Sequence, residues 1–146
     1  IRDLVRSRGL GDVYKRQASI SPDPARLLSL IHKAGRQDAS LTLFADPPLP
    51  KLPSWLEIYP LASLPEMITW PDYLALDLPL DSLPQLRPLL GLRSDQPLPC
   101  PTQALIYTPM PCGGMAECAA CAIPARRGWK LACTDGPVFD LNTIEF

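Results

Sequence analysis

Four of the chain's five cysteines lie in one short stretch, and this clustering constrains the fold more than any other feature of the sequence. The stretch runs from Cys112 to Phe139 and reads CGGMAECAACAIPARRGWKLACTDGPVF, with its cysteines spaced C-x5-C-x2-C-x11-C. Three thiolates on one tight loop can wrap an inorganic core, and a fourth that returns from a nearby strand or turn can close it. We therefore predict a metal centre held by Cys112, Cys118, Cys121 and Cys133.

The composition of the loop favours an iron–sulfur cluster over other uses of four cysteines. Gly113 and Gly114 permit positive φ angles and a close approach of backbone N–H groups to cluster sulfurs, so they are candidate cofactor-binding residues. Four cysteine thiolates hold iron–sulfur clusters, and the plant-type [2Fe–2S] spacing C-x4-C-x2-C…C is close to the spacing found here.

Structural zinc is the main alternative, because four cysteines with one C-x2-C pair also suit Zn²⁺. Such a site would make the chain an interaction module without a redox role. Structural zinc sites of four cysteines commonly have two such pairs, and this chain has one. Disulfides are a third possibility. Cys100, between Pro99 and Pro101, is expected to be a small buried side chain, with a role as first ligand in place of Cys112 as the alternative.

Composition narrows the class of protein. At 146 residues and 47% apolar, the chain can bury a core and is one domain or a fragment of two. Its 19 prolines predict short elements. A formal charge near zero implies no nucleic-acid partner. No run of about 18 apolar residues is present, so no membrane span is expected. Clustered cysteines without a secretory signal indicate a cytoplasmic protein.

The first seventeen residues differ from the rest. They hold five of the fourteen Lys and Arg residues and none of the prolines. The run GLGDVYKRQ resembles translated adapter read-through at the ends of gene fragments, so residues 1–17 are interpreted as a sequencing or assembly artefact. A real basic arm or amphipathic helix is the alternative.

The sequence of residues 18–100 predicts an α/β layer with a mostly parallel sheet, because predicted apolar strands alternate with predicted short helices. Asp23 and Pro24 mark the start of the first helix. Pro88 should shorten the last one, whose Leu83, Leu86, Leu89 and Leu90 are expected to face inward. The predicted strands are 41–45, 56–61, 73–78 and 104–107, and the predicted helices are 24–35, 63–69 and 83–91.

No catalytic site is evident. The chain has no G-x-G-x-x-G and no P-loop, so this layer is interpreted as a packing scaffold rather than a nucleotide site. His32, the only histidine, is expected at a helix end in solvent. The acidic residues near strand ends are interpreted as turn and cap residues: Asp46, Asp72, Asp77 and Asp81.

The cysteine segment resembles a known family. CGGMAECAAC followed by CTDGPVFDL is similar to the C-terminal iron–sulfur domain of the electron-transfer subunit of type B dihydroorotate dehydrogenase. The resemblance covers residues 104–141 closely and the preceding α/β region loosely. Two departures are visible: five residues rather than four separate Cys112 from Cys118, and the flavin-binding barrel that normally comes first is missing.

The resemblance implies an electron relay. Residues 18–100 would be the remnant of a ferredoxin-reductase-like nucleotide-binding half, and residues 101–146 a small irregular β [2Fe–2S] module. FAD is expected for the full-length protein, with no site in this chain. The cluster would pass single electrons to and from an FMN-containing catalytic subunit of the dihydroorotate dehydrogenase type, in pyrimidine synthesis. Trp129 and Phe139 are expected to pack over the cluster, and Arg126 and Arg127 to form a solvated turn or to contact an acidic partner.

Overall fold

Eight short strands form two sheets in the computed structural model, which describes residues 16–20, 24–37 and 39–146. The strands are β1 (Arg16–Ile20), β2 (Ser40–Phe44), β3 (Glu57–Tyr59), β4 (Tyr73–Pro79), β5 (Thr102–Tyr107), β6 (Ala122–Ala125), β7 (Gly128–Leu131) and β8 (Val138–Asp140). The α-helices are α1 (Leu28–Gly35), α2 (Leu64–Met67) and α3 (Leu86–Leu89), with 3₁₀ turns at Pro24–Leu27, Leu61–Ser63, Leu80–Gln85 and Leu141–Thr143.

The larger sheet has the strand order β3-β2-β1-β4-β5-β8. All neighbours are parallel except β5 and β8, which are antiparallel. Reversal of the strand order next to β1 is the mark of a doubly wound α/β fold. The predicted fold class is confirmed. The smaller sheet is the antiparallel hairpin of β6 and β7.

The helices are short, as the prolines predicted. Pro24 opens the first 3₁₀ turn, and Ile31 and Ala34 form the buried face of α1. Asp23, the predicted cap, lies outside the described residues. Pro84 and Pro88 limit the predicted helix 83–91 to a 3₁₀ turn followed by one α-helical turn.

Leucines of this segment do not all face inward. Leu83, Leu86 and Leu90 are buried, but Leu89 is 37% exposed, so that part of the prediction was wrong. A single helical turn presents only one narrow face to the core, and Leu89 lies beside that face rather than on it.

Strand β1 was not predicted, because residues 1–17 were set aside. Residues 1–15 lie outside the described residues, whereas residues 16 and 17 begin β1. That strand pairs with β2 on one side and β4 on the other, so it lies at the middle of the sheet.

Two apolar clusters hold the fold together. One packs α1 against β2, through Ile31 and Leu43 among others. The other lies on the opposite side and joins β4, β5, α2 and α3 to the hairpin and the C-terminal residues. Ile123 and Ala125 of β6 belong to this second cluster. The cysteine segment therefore shares a core with the sheet.

The C-terminal segment is fixed by Arg87 of α3. Its Nε donates to the carbonyl of Phe146 at 2.9 Å, and its Nη1 donates to the carbonyls of Arg93 and Gln96 at 3.0 Å each. The guanidinium also lies 4.8 Å from the centroid of the Phe146 ring. Because an isolated bridge joins Ala125 and Ile144, this clamp also supports β6. Among the described residues, no helix is long and apolar enough to cross a membrane.

We predict that Arg87→Lys lowers the free energy of unfolding by about 1–2 kcal/mol, because an ammonium group cannot reproduce the planar fork. Urea denaturation followed by circular dichroism measures this. Arg93→Lys is the control: the Arg93 side chain forms a highly exposed ion pair with Asp95, so the change should stay within about 0.5 kcal/mol. Equal effects of the two substitutions would contradict the clamp.

Candidate metal centre

The first three cysteines lie on one loop that follows the carboxyl end of β5. Gly113 and Gly114 have φ angles of 65° and 87°. Positive angles were predicted here because both residues are glycines. Ala116 and Ala119 also have positive φ angles, 62° and 54°, which the sequence did not reveal. A left-handed alanine costs roughly 1–2 kcal/mol. Such strain is typical of functional loops, where the surrounding structure imposes it.

The four thiols form two pairs. Cys121 and Cys133 lie with their sulfurs 3.4 Å apart. The Cys118 thiol is the main influence on the pKa of Cys112, which indicates that these two side chains lie close together. Two sulfurs bound at about 2.3 Å to one tetrahedral metal ion are separated by roughly 3.8 Å. The 3.4 Å between the sulfurs of Cys121 and Cys133 is thus close to the separation of two ligands of one ion.

The pairs do not merge into a single four-cysteine cage. Within the described ranges, no group of three or more His, Cys, Asp or Glu side chains is arranged to hold one metal ion. A structural zinc ion needs all four sulfurs around one point. A binuclear cluster would need two sulfurs at each of two iron atoms.

Backbone N–H groups surround the sulfurs and favour their charged form. The pKa of Cys112 is lowered to about 6 by hydrogen bonds from the Cys118 thiol and from the N–H groups of Glu117, Cys118 and Gly114. The N–H of Cys133 is the main cause that lowers the pKa of Cys121. These donors would also stabilise the negative charge of a thiolate-bound cluster.

The pKa of Cys133 is raised instead, chiefly by the neighbouring Cys121 thiol and also by burial. The N–H of Ala116 acts in the opposite direction, so one of the strained alanines donates towards this sulfur. A like charge 3.4 Å away disfavours a second thiolate, and a cation bound by both sulfurs would offset this repulsion.

The site is open to solvent on the side of the loop. Residues 115–120 are all exposed, Cys112 and Cys133 are half-buried, and Cys121 is buried against the core. A centre in this position has one side in the protein and one side accessible to a partner.

The D-G-P-V-F segment fixes the fourth cysteine to the large sheet. The Asp135 carboxylate accepts from the N–H of Leu131 at 2.7 Å, which closes the turn that contains Cys133. Gly136 lies under the ring of Phe139, where a Cβ atom would meet ring carbons at 2.5 Å. The carbonyl of Pro137 then accepts from the N–H of Ile106 at 2.9 Å, and β8 begins.

Cys100 lies away from these pairs. It precedes β5 at its amino end, where its carbonyl accepts from the Thr102 hydroxyl at 2.9 Å. Burial raises the pKa of its thiol. The loop of Cys112 begins beyond the opposite end of the strand, about 20 Å along a six-residue strand.

Other expectations have mixed outcomes. Phe139 is buried, but Trp129 is 71% exposed, so the expectation that it packs as a cover was wrong. Arg126 and Arg127 form the turn of the β6–β7 hairpin. His32 is exposed on α1.

The acidic residues near strand ends have different roles. Asp46 accepts from the N–H of Leu61 at 3.0 Å, which is a turn role. Asp77 was misinterpreted as a cap: it is buried in β4 and pairs with Arg26 at 3.4 Å. Both faces of β4 are buried, so this carboxylate lies in the interior, where an ion pair balances its charge.

Comparison with known proteins agrees with this geometry. Residues 108–145 match the family model described as the iron–sulfur cluster binding domain of dihydroorotate dehydrogenase B. This C-terminal segment is therefore similar to that iron–sulfur domain. No curated protein matches the chain.

A solved structure is similar in fold over most of this chain. It is described as an NADH-dependent reduced ferredoxin-NADP oxidoreductase studied for flavin-based electron bifurcation, and it aligns with a TM-score of 0.63 at 15% sequence identity. The alignment covers 90% of this chain and 54% of that chain, so this chain spans about half of its length. The expected reductase-like α/β fold, with a small iron–sulfur domain after it, is confirmed.

We predict that Gly136→Ala destabilises the protein by about 1–3 kcal/mol, because its Cβ would overlap the Phe139 ring. Denaturant unfolding and metal retention after desalting should fall together. Phe139→Leu removes the obstacle, so the double variant should be more stable than the sum of the single effects predicts. Strict additivity would contradict the proposed packing.

Proposed function

We propose that this chain is the iron–sulfur part of an electron-transfer subunit, with a [2Fe–2S] cluster held by Cys112, Cys118, Cys121 and Cys133. The observation that carries the proposal is the pairing of the thiols. Cys112 and Cys118 would hold one iron, and Cys121 and Cys133 the other. The family match over residues 108–145 supports iron–sulfur binding independently of this geometry.

A cluster of this kind accepts and donates one electron at a time, with a potential set partly by hydrogen bonds to its sulfurs and by solvent exposure. The chain's own residues supply both conditions. N–H groups of the loop, among them those of Gly114, Glu117 and Ala116, point at the thiol sulfurs. The exposed face of the loop leaves one side free for a redox partner.

The wider assignment follows the domain family. We infer that the partner is an FMN-containing catalytic subunit of the dihydroorotate dehydrogenase type, and that the pathway is cytoplasmic pyrimidine synthesis. FAD would be bound by a part of the full-length protein outside this chain. Residues 18–100 would then be the nucleotide-binding half of a reductase unit, and residues 101–146 the cluster module.

The α/β half also supports the strand that leads to the cysteine loop. The carboxyl ends of β4 and β5 are joined by Arg26, which pairs with Asp77 and lies 4.0 Å from the centroid of the Tyr107 ring. This contact holds the start of α1 against the strand that leads to the cysteine loop.

The test is a series of single Cys→Ser variants purified without oxygen. Each of the four paired cysteines should be needed, so each change should remove most of the visible sulfide-to-iron absorbance and lower the iron content. Cys100→Ser is the matched control and should leave both unchanged. If Cys100→Ser loses its colour and Cys112→Ser retains it, the first ligand is Cys100 and not Cys112.

A colourless wild-type protein that contains one zinc per chain would contradict the redox assignment and support the structural-zinc alternative. Bleaching of the wild-type absorbance by dithionite, and its return in air, is the result that the electron-transfer role predicts.

A further inference from the structure

The β6–β7 hairpin carries an exposed aromatic side chain that the core does not use. Trp129 is 71% exposed, the largest value among the exposed large apolar side chains of the described residues. It stands opposite Pro124 in the hairpin, on the face that does not pack on the sheet. Ile123 and Ala125, on the other face, are buried.

The hairpin is also rigid and directly joined to the thiol pairs. Cys121 immediately precedes β6, and Cys133 follows β7 after one residue. On its outer edge, β6 is bridged to the C-terminal segment: Arg126 N–H donates to the Thr143 carbonyl and Glu145 N–H to the Pro124 carbonyl, each at 3.0 Å. Trp129 pairs with Pro124, which is three residues after Cys121. It therefore lies about 10 Å along the strand from the pair formed by Cys121 and Cys133.

Positive charge surrounds this indole. From Cys118 to Thr134 the chain has three cations, Arg126, Arg127 and Lys130, and no acid. Glu145 lines the same surface depression as Arg126 and offsets one of these charges. The Asp135 carboxylate is engaged by the N–H of Leu131. The hairpin thus keeps a net positive charge in a chain of formal charge −1.

We propose that this hairpin surface, made of Trp129, Arg126, Arg127 and Lys130, is the docking face for the redox partner, and that the partner presents an apolar socket rimmed by carboxylates. The proposal rests on the proposed electron-transfer function and adds the site of contact. Tryptophan and arginine are the residues that most often dominate binding energy at interfaces, especially when an aromatic anchor is ringed by polar groups. Complementary charge around it speeds association and selects the partner.

A second exposed aromatic patch makes a suitable comparison. Trp55 is 50% exposed and lies just before β3, the edge strand at the far side of the sheet from β8. It is next to Ile58 and Tyr59, which are also exposed, but no basic residue lies between positions 52 and 86. The Trp55 ring lies beside Gly35, on the far side of the sheet from the strand that follows Cys133, so Trp55 controls for the loss of an exposed indole away from the thiols.

The experiment measures binding of the cluster-loaded full chain to a purified FMN-containing catalytic subunit of a type B dihydroorotate dehydrogenase. Isothermal titration gives the dissociation constant, and visible absorbance reports the cluster in each variant. Trp129→Ala should weaken binding about 10- to 100-fold with unchanged absorbance. Trp55→Ala should change it less than about threefold.

Charge is tested in the same assay. Arg126→Ala/Arg127→Ala should weaken binding and flatten the dependence of the dissociation constant on salt concentration. The pair Lys33→Ala/Arg36→Ala removes equal charge from the exposed side of α1 and should do neither.

Wild-type affinity in Trp129→Ala, or no binding by the coloured wild-type chain, would overturn the docking proposal. Concentration-dependent dimerisation that Trp129→Ala abolishes would also overturn it, because a second copy would then be the occupant. A colourless protein is a different failure: it contradicts the proposed function, whatever the binding data show.

Discussion

Strand β5 is the support on which the cysteine site depends. Its carboxyl end leads into the loop of Cys112, Cys118 and Cys121, and one of its edges pairs antiparallel with β8, which begins five residues after Cys133. The hydrogen bond from Ile106 N–H to the Pro137 carbonyl begins that pairing. Since β4 and β8 hold the two sides of β5, the sheet brings cysteines from two separate segments to one end of the molecule. Without that ladder, the fourth thiol would have no fixed position relative to the other three.

Two pairs of thiols, rather than one group of four, give the site its chemical character. In the proposed cluster each pair would bind one iron, and the loop around the pairs contains four residues with positive φ angles: Gly113, Gly114, Ala116 and Ala119. N–H groups directed at the sulfurs provide the compensation that a negatively charged centre requires. The same arrangement leaves the loop exposed and the hairpin firmly packed. A buried anchor with an open face is the geometry expected of a carrier that exchanges electrons with another protein.

Much of this could be predicted from the sequence, because the signals are local. Apolar runs located β2, β4 and β5, prolines limited the helices, and adjacent glycines announced the loop with positive φ angles. The spacing of cysteines indicated a metal centre but not its internal arrangement, since pairing depends on how β8 returns to β5. Positive φ at Ala116 and Ala119 has no sequence signal, because alanine normally avoids that region. The exposure of Trp129 was not predicted. An aromatic residue near a metal site can be buried or exposed to solvent, and only the strand register shows on which face of the hairpin it lies. Residues 1–15 lie outside the described part of the chain, so their interpretation stays a prediction.

The most direct test of the central claim is native mass spectrometry of the anaerobically purified chain. Two thiol pairs predict an added mass equal to two irons and two sulfides, lost in one step on acidification because all four thiolates share one cluster. A single zinc ion, a single iron without sulfide, or a mass decrease matching two disulfides would contradict the account.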